Sequence, residues 1–133
     1  MNLITRDTDY AIRALLYMAK ENKKIITVSE MAKKTKIPYP FLRKILQTLH
    51  KNGILCSYKG SKGGFSFRAN PEDIFILELI RIFQGRLKIN KCFLKKKICP
   101  EISTCKLKNI LDSIIEDALL KLKYVSIKSL LNY

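Results

Sequence analysis

Pro38 constrains the fold of this chain more than any other residue, because it separates two short runs of helical apolar periodicity. The residue before a proline is pushed out of the helical region, so the first run ends near Ile37 and the second starts afresh. Before the break, Thr27 and Glu30 form a capping-box pattern that opens a short helix burying Val28, Met31 and Ala32. After it, Pro40 suits a first helical turn, and residues 40–52 place Phe41, Leu42, Ile45, Leu46 and Leu49 on one buried face. Gly53 is the expected left-handed stop. Two short helices are thus forced to meet at a tight turn.

The flanking segments complete the pattern. Upstream, Ala11, Ala14, Leu15, Met18 and Ala19 recur at helical spacing across residues 8–20. Downstream, Ile54, Cys56 and Tyr58 alternate, Gly60-Ser61-Lys62-Gly63-Gly64 turns the chain, and Phe65 and Phe67 alternate again. That is a hairpin with a glycine-rich, basic tip. A helix-turn-helix followed by such a hairpin predicts a mostly α fold with a small β wing, a winged helix-turn-helix. After Pro71 the apolar pattern predicts a helix over residues 74–83, ended by Gly85. A long helix over residues 106–123 carries Leu107, Ile110, Leu111, Ile114, Ile115, Ala118, Leu119 and Leu122 as a broad apolar stripe. Such a stripe either closes the core or meets a second copy of the chain, as two-fold binders of paired half-sites require. The expected organisation is a DNA-binding part over residues 1–70, then a cysteine loop and dimerisation helix over 71–133, in one compact unit.

Charge supplies a partner for this fold. The chain holds 26 Lys+Arg against 11 Asp+Glu, a net +15, which calls for a polyanion. No acidic residue falls between Met31 and Pro71, whereas Lys33, Lys34, Lys36, Arg43, Lys44, Lys51, Lys59, Lys62 and Arg68 do. A merely solvated surface mixes its signs; this one faces phosphates. On the second helix of the pair, Tyr39, Arg43, Lys44 and Gln47 are interleaved with the apolar positions and are the expected major-groove readers. Lys59, Ser61 and Lys62 at the hairpin tip are the expected contacts to phosphates or the minor groove. An enzyme is not expected, since there is one histidine, His50, with no phosphate-cradling motif and no nucleophile–base pair. Arg6, Asp7 and Asp9 break any leader-like apolar run, and the stretch 14–19 is too short to span a bilayer, so the reading is a cytoplasmic protein with no membrane partner.

Four cysteines in a reducing compartment point to metal or redox chemistry rather than to a disulfide framework. Cys92, Cys99 and Cys105 are spaced too widely for a Cys-x-x-Cys zinc or thioredoxin site, and they lie among Lys88, Lys91, Lys95, Lys96, Lys97, Lys106 and Lys108. Wide spacing in a cation-rich loop suits an iron–sulfur cluster. A thiol switch, a structural zinc and plain free thiols remain open on spacing alone. Cys56 reads as a small core residue of the hairpin.

With these pieces in place, the chain resembles the bacterial regulator family of IscR-type and NsrR-type proteins. The resemblance covers essentially the whole chain, through "TDYAIRALLYMA" (8–19), "IPYPFLRKIL" (37–46), "KGSKGGF" (59–65) and "CFLKKKICPEISTCKLK" (92–108). It implies dimeric repressors or activators whose cluster controls operator binding, with Cys92, Cys99 and Cys105 as ligands. The IscR-type fourth ligand, a histidine three residues after the last cysteine, is replaced here by Lys108. The NsrR-type ligand, an aspartate of the first helix donated by the partner subunit, corresponds to Asp9, which favours a 4Fe–4S over a 2Fe–2S cluster. Favouring the helix amino terminus is the other role open to Asp9, and Asp7 can share it. Lys36 stands where the helix-turn-helix commonly has glycine, at a cost of about 1 kcal/mol if the left-handed turn is kept. The alternative function is a cluster-free thiol or disulfide redox switch on the same three cysteines.

Overall fold

The computed structural model describes residues 3–21, 23–85 and 105–132. Helix α1 (Arg6–Lys20) starts where Thr5 caps it, the Thr8 N–H donating to Thr5 Oγ1 at 3.5 Å. It buries Thr8, Ala11, Ala14, Leu15 and Met18 along one side. That side is the axis of the molecule: α1 packs against four other helices, α2 (Val28–Thr35), α3 (Tyr39–Lys51), α4 (Ile76–Gln84) and α6 (Ile127–Leu131). The small alanines let those helices approach closely, and Leu15 and Met18 fill the space between them.

The helix-turn-helix forms as expected. Thr27 caps α2 by accepting the Glu30 N–H at 3.1 Å. The Glu30 carboxylate does not return to close the box; Lys23 takes it at 2.6 Å, and that hydrogen bond raises the lysine's pKa. Met31 is fully buried, while Val28 and Ala32 are half-buried rather than in the centre of the core. Lys36 ends α2 at φ 59°, ψ 22°, the left-handed turn position. Helix α3 buries Leu42, Ile45, Leu46 and Leu49, but Phe41 is 42% exposed, against expectation. Phe41 lies one residue before Leu42, at the edge of the stripe, and the Arg6 guanidinium covers its ring at 4.8 Å from the centroid. A charged partner from α1 serves it in place of the core.

Strand β1 (Leu55–Tyr58) pairs antiparallel with β2 (Gly64–Phe67), Leu55 opposite Phe67 and Tyr58 opposite Gly64. The inward phase of β1 is shifted by one residue from the expected alternation. Leu55 is fully buried, Cys56 only half-buried and Tyr58 exposed, because a strand's faces exchange at every step and the larger apolar side chain takes the core. Cys56 is therefore at the edge of the core, not in it. A third short segment joins the hairpin: Ile26 and Phe65 exchange both backbone hydrogen bonds at 2.9 Å. Gly64 is required beside that pairing, since a Cβ there would run into the Ile26 carbonyl.

A 3-10 turn over Pro71–Asp73 precedes α4, which starts at Ile76, two residues later than the pattern predicts. The delay has a cause outside the segment: the Ile127 N–H donates to Ile74 O at 2.9 Å, and the Ile76 N–H donates to Val125 O at 3.0 Å. Helix α5 (Lys106–Leu122) follows the expected range, and then α6, unforeseen, returns the chain to α1 and buries Ile127. Among the described residues no helix is long and apolar enough to cross a membrane.

Candidate nucleic-acid interface and cysteine site

Helix α3 is fixed on its inner side by four aliphatic side chains, so its outer side is fixed too. Tyr39, Arg43, Lys44 and Gln47 are all exposed on the first three turns, Tyr39 at 45%. The sequence-derived readers thus share one solvent-facing surface. No acidic residue sits in the first turn, and Pro38 offers no side-chain cap, so the amino end of α3 presents its free N–H groups to solvent.

The wing is anchored to the far end of this helix. The Ile54 N–H donates to Leu49 O at 3.0 Å, and His50 donates through Nδ1 to Leu55 O at 3.0 Å. The chain's one histidine therefore holds β1 to α3. At the tip, Lys59, Ser61 and Lys62 are exposed on the loop closed by the Gly63 N–H to Gly60 O bond at 3.0 Å. The Ser66 hydroxyl donates to Tyr58 Oη at 3.3 Å and steadies the outer face of the hairpin. The exposed face of α3 and the basic tip thus belong to elements joined directly by hydrogen bonds.

Sequence reasoning missed two supporting arginines. Arg6 covers Phe41 from α1, and Arg13 Nη2 donates to Thr35 O at 2.7 Å, capping the last turn of α2. Their only signal was position within "RDTDYAIRAL", where any arginine on an exposed helix face looks the same. Gln84 was missed as well. Its amide accepts from the Thr5 N–H at 3.0 Å and the Thr8 hydroxyl at 2.8 Å, and donates to Leu3 O at 3.1 Å. The carboxyl end of α4 is so tied to the start of α1.

Of the cysteine site, Cys92 and Cys99 lie outside the described residues, and with them Lys88, Lys91 and Lys95 to Lys97. Cys105 is the N-cap of α5: its Sγ accepts the Lys108 N–H at 3.5 Å, and the side chain is half-buried. A sulfur in that position faces the positive end of a helix dipole, an environment suited to a metal-bound thiolate. The Lys108 ammonium pairs with Asp112 at 2.6 Å, and that hydrogen bond raises its pKa. Asp9 sits in the first turn of α1, exposed, with Arg13 at 3.6 Å as its ion-pair partner. Among the described residues, no group of three or more His, Cys, Asp or Glu side chains is placed to hold a metal. Beside Cys105, α5 holds no fully buried residue, and one edge of its stripe is open: Leu107 is 63% and Ile114 51% exposed, while Leu111, Ile115, Leu119 and Leu122 are half-buried.

Comparison with known proteins agrees with this geometry. A family model described as Rrf2, "Iron-dependent Transcriptional regulator", matches residues 4–133. A putative HTH-type transcriptional regulator of Aquifex aeolicus is 39% identical over 94 residues, which are 71% of this chain and 65% of that relative's length. The HTH-type transcriptional regulator NsrR of Shouchella clausii is 32% identical over 129 residues, 96% of this chain and 87% of the relative. Among solved structures, CymR, the global cysteine regulator of B. subtilis, superposes with a TM-score of 0.73 at 18% identity, covering 100% of this chain and 98% of the other. That last likeness is one of fold.

Proposed function

The chain belongs to the Rrf2 family of transcriptional regulators, and we propose that it works as a cytoplasmic homodimer whose operator affinity is set by an iron–sulfur cluster. Residues 1–70 bind DNA in this reading, and residues 71–133 carry the cluster loop and the dimer helix. Tyr39, Arg43, Lys44 and Gln47 read the major groove, while Lys59, Ser61 and Lys62 hold phosphates or the minor groove beside it. Cys92, Cys99 and Cys105 ligate the cluster. Asp9, reaching across from the partner subunit, completes a 4Fe–4S site.

The observation that carries the reading is the position of Cys105. It caps α5 at the base of the open apolar stripe, so the third ligand is rigidly joined to the surface that a second copy would cover. Its sulfur meets a backbone N–H and the positive helix end, and Lys106 and Lys108 follow directly; these features fit a negatively charged, thiolate-ligated cluster. When bound, such a cluster supplies a centre that oxidants, nitric oxide or iron shortage can degrade. The chain's own part is to convert the loading of that loop into a change of spacing between two α3 helices, a shift of population between forms that bind DNA differently.

The test is anaerobic reconstitution, with iron and sulfide counted and visible absorption recorded. Wild type and Cys56→Ser are expected to be coloured. Cys92→Ser, Cys99→Ser and Cys105→Ser are each expected to lose the chromophore and its control of binding to an operator selected from a randomised duplex pool. A colourless wild type whose DNA affinity instead follows thiol oxidation would replace the cluster by the disulfide switch on the same cysteines.

A further inference from the structure

Lys36 is the one non-glycine residue among the described residues held in the left-handed region, at φ 59°. Its backbone is pinned from both sides. The Lys36 N–H donates to Ala32 O at 3.0 Å, Arg13 holds Thr35 O at 2.7 Å, and the Ile37 N–H donates to Thr35 Oγ1 at 3.4 Å. Ile37, next in the chain, is buried at 2% exposure. The turn therefore cannot relax to suit its side chain, and glycine would occupy it without strain.

A lysine here is not needed by α2. Lys33 and Lys34 already stand in its last turn, and Arg13 already caps its carbonyl end. The side chain is exposed and sits three residues before Tyr39, where the reading helix begins. It also lies inside the span from Met31 to Pro71 that carries no acid, so its ammonium has no carboxylate partner in that segment. We propose that Lys36 is a phosphate anchor: it grips the DNA backbone at the edge of the groove that α3 enters, and the strained turn is kept for that contact. The inference rests on the reading of the α2–α3 face as the DNA surface.

The test uses the full chain and a labelled random-sequence duplex, with affinity measured across a salt series. Lys36→Gly and Lys36→Asn, both tolerant of the left-handed turn, are expected to fold, and Lys36→Gly to melt at a higher temperature than wild type. Each should flatten the slope of log affinity against log salt by about 0.9, so that its deficit against wild type is roughly 3.5-fold larger at ~50 mM than at ~200 mM salt. Lys36→Arg should restore the slope. Lys128→Ala, which removes a lysine paired with Glu72 at 3.2 Å, controls for net charge and should leave it unchanged. A steep wild-type slope that Lys36→Gly and Lys36→Asn both retain overturns the anchor alone. An equal loss in Lys128→Ala also overturns it, assigning the effect to net charge. A wild type without a steep slope removes the DNA face, and the anchor with it.

Discussion

Helices α3 and α5 carry the same kind of sequence and meet opposite fates. Both repeat aliphatic residues every three to four positions, but the other side of α3 carries Arg43 and Lys44 with no acid, whereas that of α5 mixes Lys108 and Lys121 with Asp112, Glu116 and Asp117. In α3 the stripe is consumed: Leu42, Leu46 and Leu49 are fully buried against α1 and β1. In α5 no residue is fully buried: Leu111, Ile115, Ala118, Leu119 and Leu122 are half-buried, and Leu107, Ile110 and Ile114 face outward. Amphipathic periodicity announces that a helix has a partner but not whether the partner belongs to the same chain. The distinction divides the labour of the molecule. The buried stripe makes α3 a rigid platform for its exposed residues, and the exposed edge of α5 leaves apolar surface that a second copy would cover in the proposed dimer.

The contrast breaks first, and by the largest margin, under truncation of the two stripes. Leu46→Ala removes a side chain with no exposed surface, and denaturant unfolding should show a loss of about 2–5 kcal/mol. Ile114→Lys acts on a side chain already half in water and should leave the helix-turn-helix folded by circular dichroism while the protein sediments as a monomer. Were the folded Ile114→Lys protein still dimeric, the interface would lie elsewhere and the open stripe would need another occupant.

These two helices also show what the sequence could reveal. Much that local spacing governs was legible: the break at Pro38, the caps at Thr27 and Gly53, and the outward set Tyr39, Arg43, Lys44 and Gln47; the left-handed turn at Lys36 came from the resemblance. Features set by a distant residue were not. Phe41 looks like core by type, yet Arg6, thirty-five positions away, covers it on the surface. The phase of β1 turned on whether Leu55 or Cys56 fits the interior, and α4 starts late because residues 125–127 pair with its approach. Helix α6 is five residues long, too short for periodicity to register, although Ser126 and Ser129 close a full capping box on it. Gln84 gave no warning, because an amide's role depends entirely on what it meets. For the cysteine site, the legible part was the residue types and their spacing; Cys92 and Cys99 lie outside the described residues, and the N-cap role of Cys105 was not foreseen.

The rigid platform can be probed at an intermediate scale. Arg43 stands on the outer face of a helix that cannot move without unpacking its core, so Arg43→Ala should cost roughly 1–3 kcal/mol of discrimination between a selected operator and random duplex. Lys62→Ala, on the wing tip, should weaken both duplexes by the same factor. An unchanged operator-to-random ratio in Arg43→Ala would take base reading away from α3. It would leave the wing's phosphate role standing, since the hairpin is joined to α3 by backbone bonds that the substitution does not touch.

The smallest expected effect on stability falls on Asp9, and its smallness is what makes it informative. The Asp9–Arg13 pair is separated by 3.6 Å, and both side chains are about half exposed, so water and salt screen it and its worth is at most ~1 kcal/mol. Asp9→Ala should therefore leave the melting temperature almost unchanged, and the Arg13 cap on Thr35 should survive it. Arg13→Ala removes that cap as well, a hydrogen bond worth about 0.5–1.5 kcal/mol, and should be the more destabilising of the two. If Asp9 also reaches the cluster of the partner subunit, the order reverses for a different reading. Asp9→Ala would then shorten the lifetime of the reconstituted chromophore in air, while Arg13→Ala would keep it. A chromophore equally stable in wild type and Asp9→Ala would confine Asp9 to the surface of α1 and leave the fourth ligand to be sought on another residue. Because the fold barely responds to either substitution, any large change in the chromophore has to come from ligation and not from unfolding.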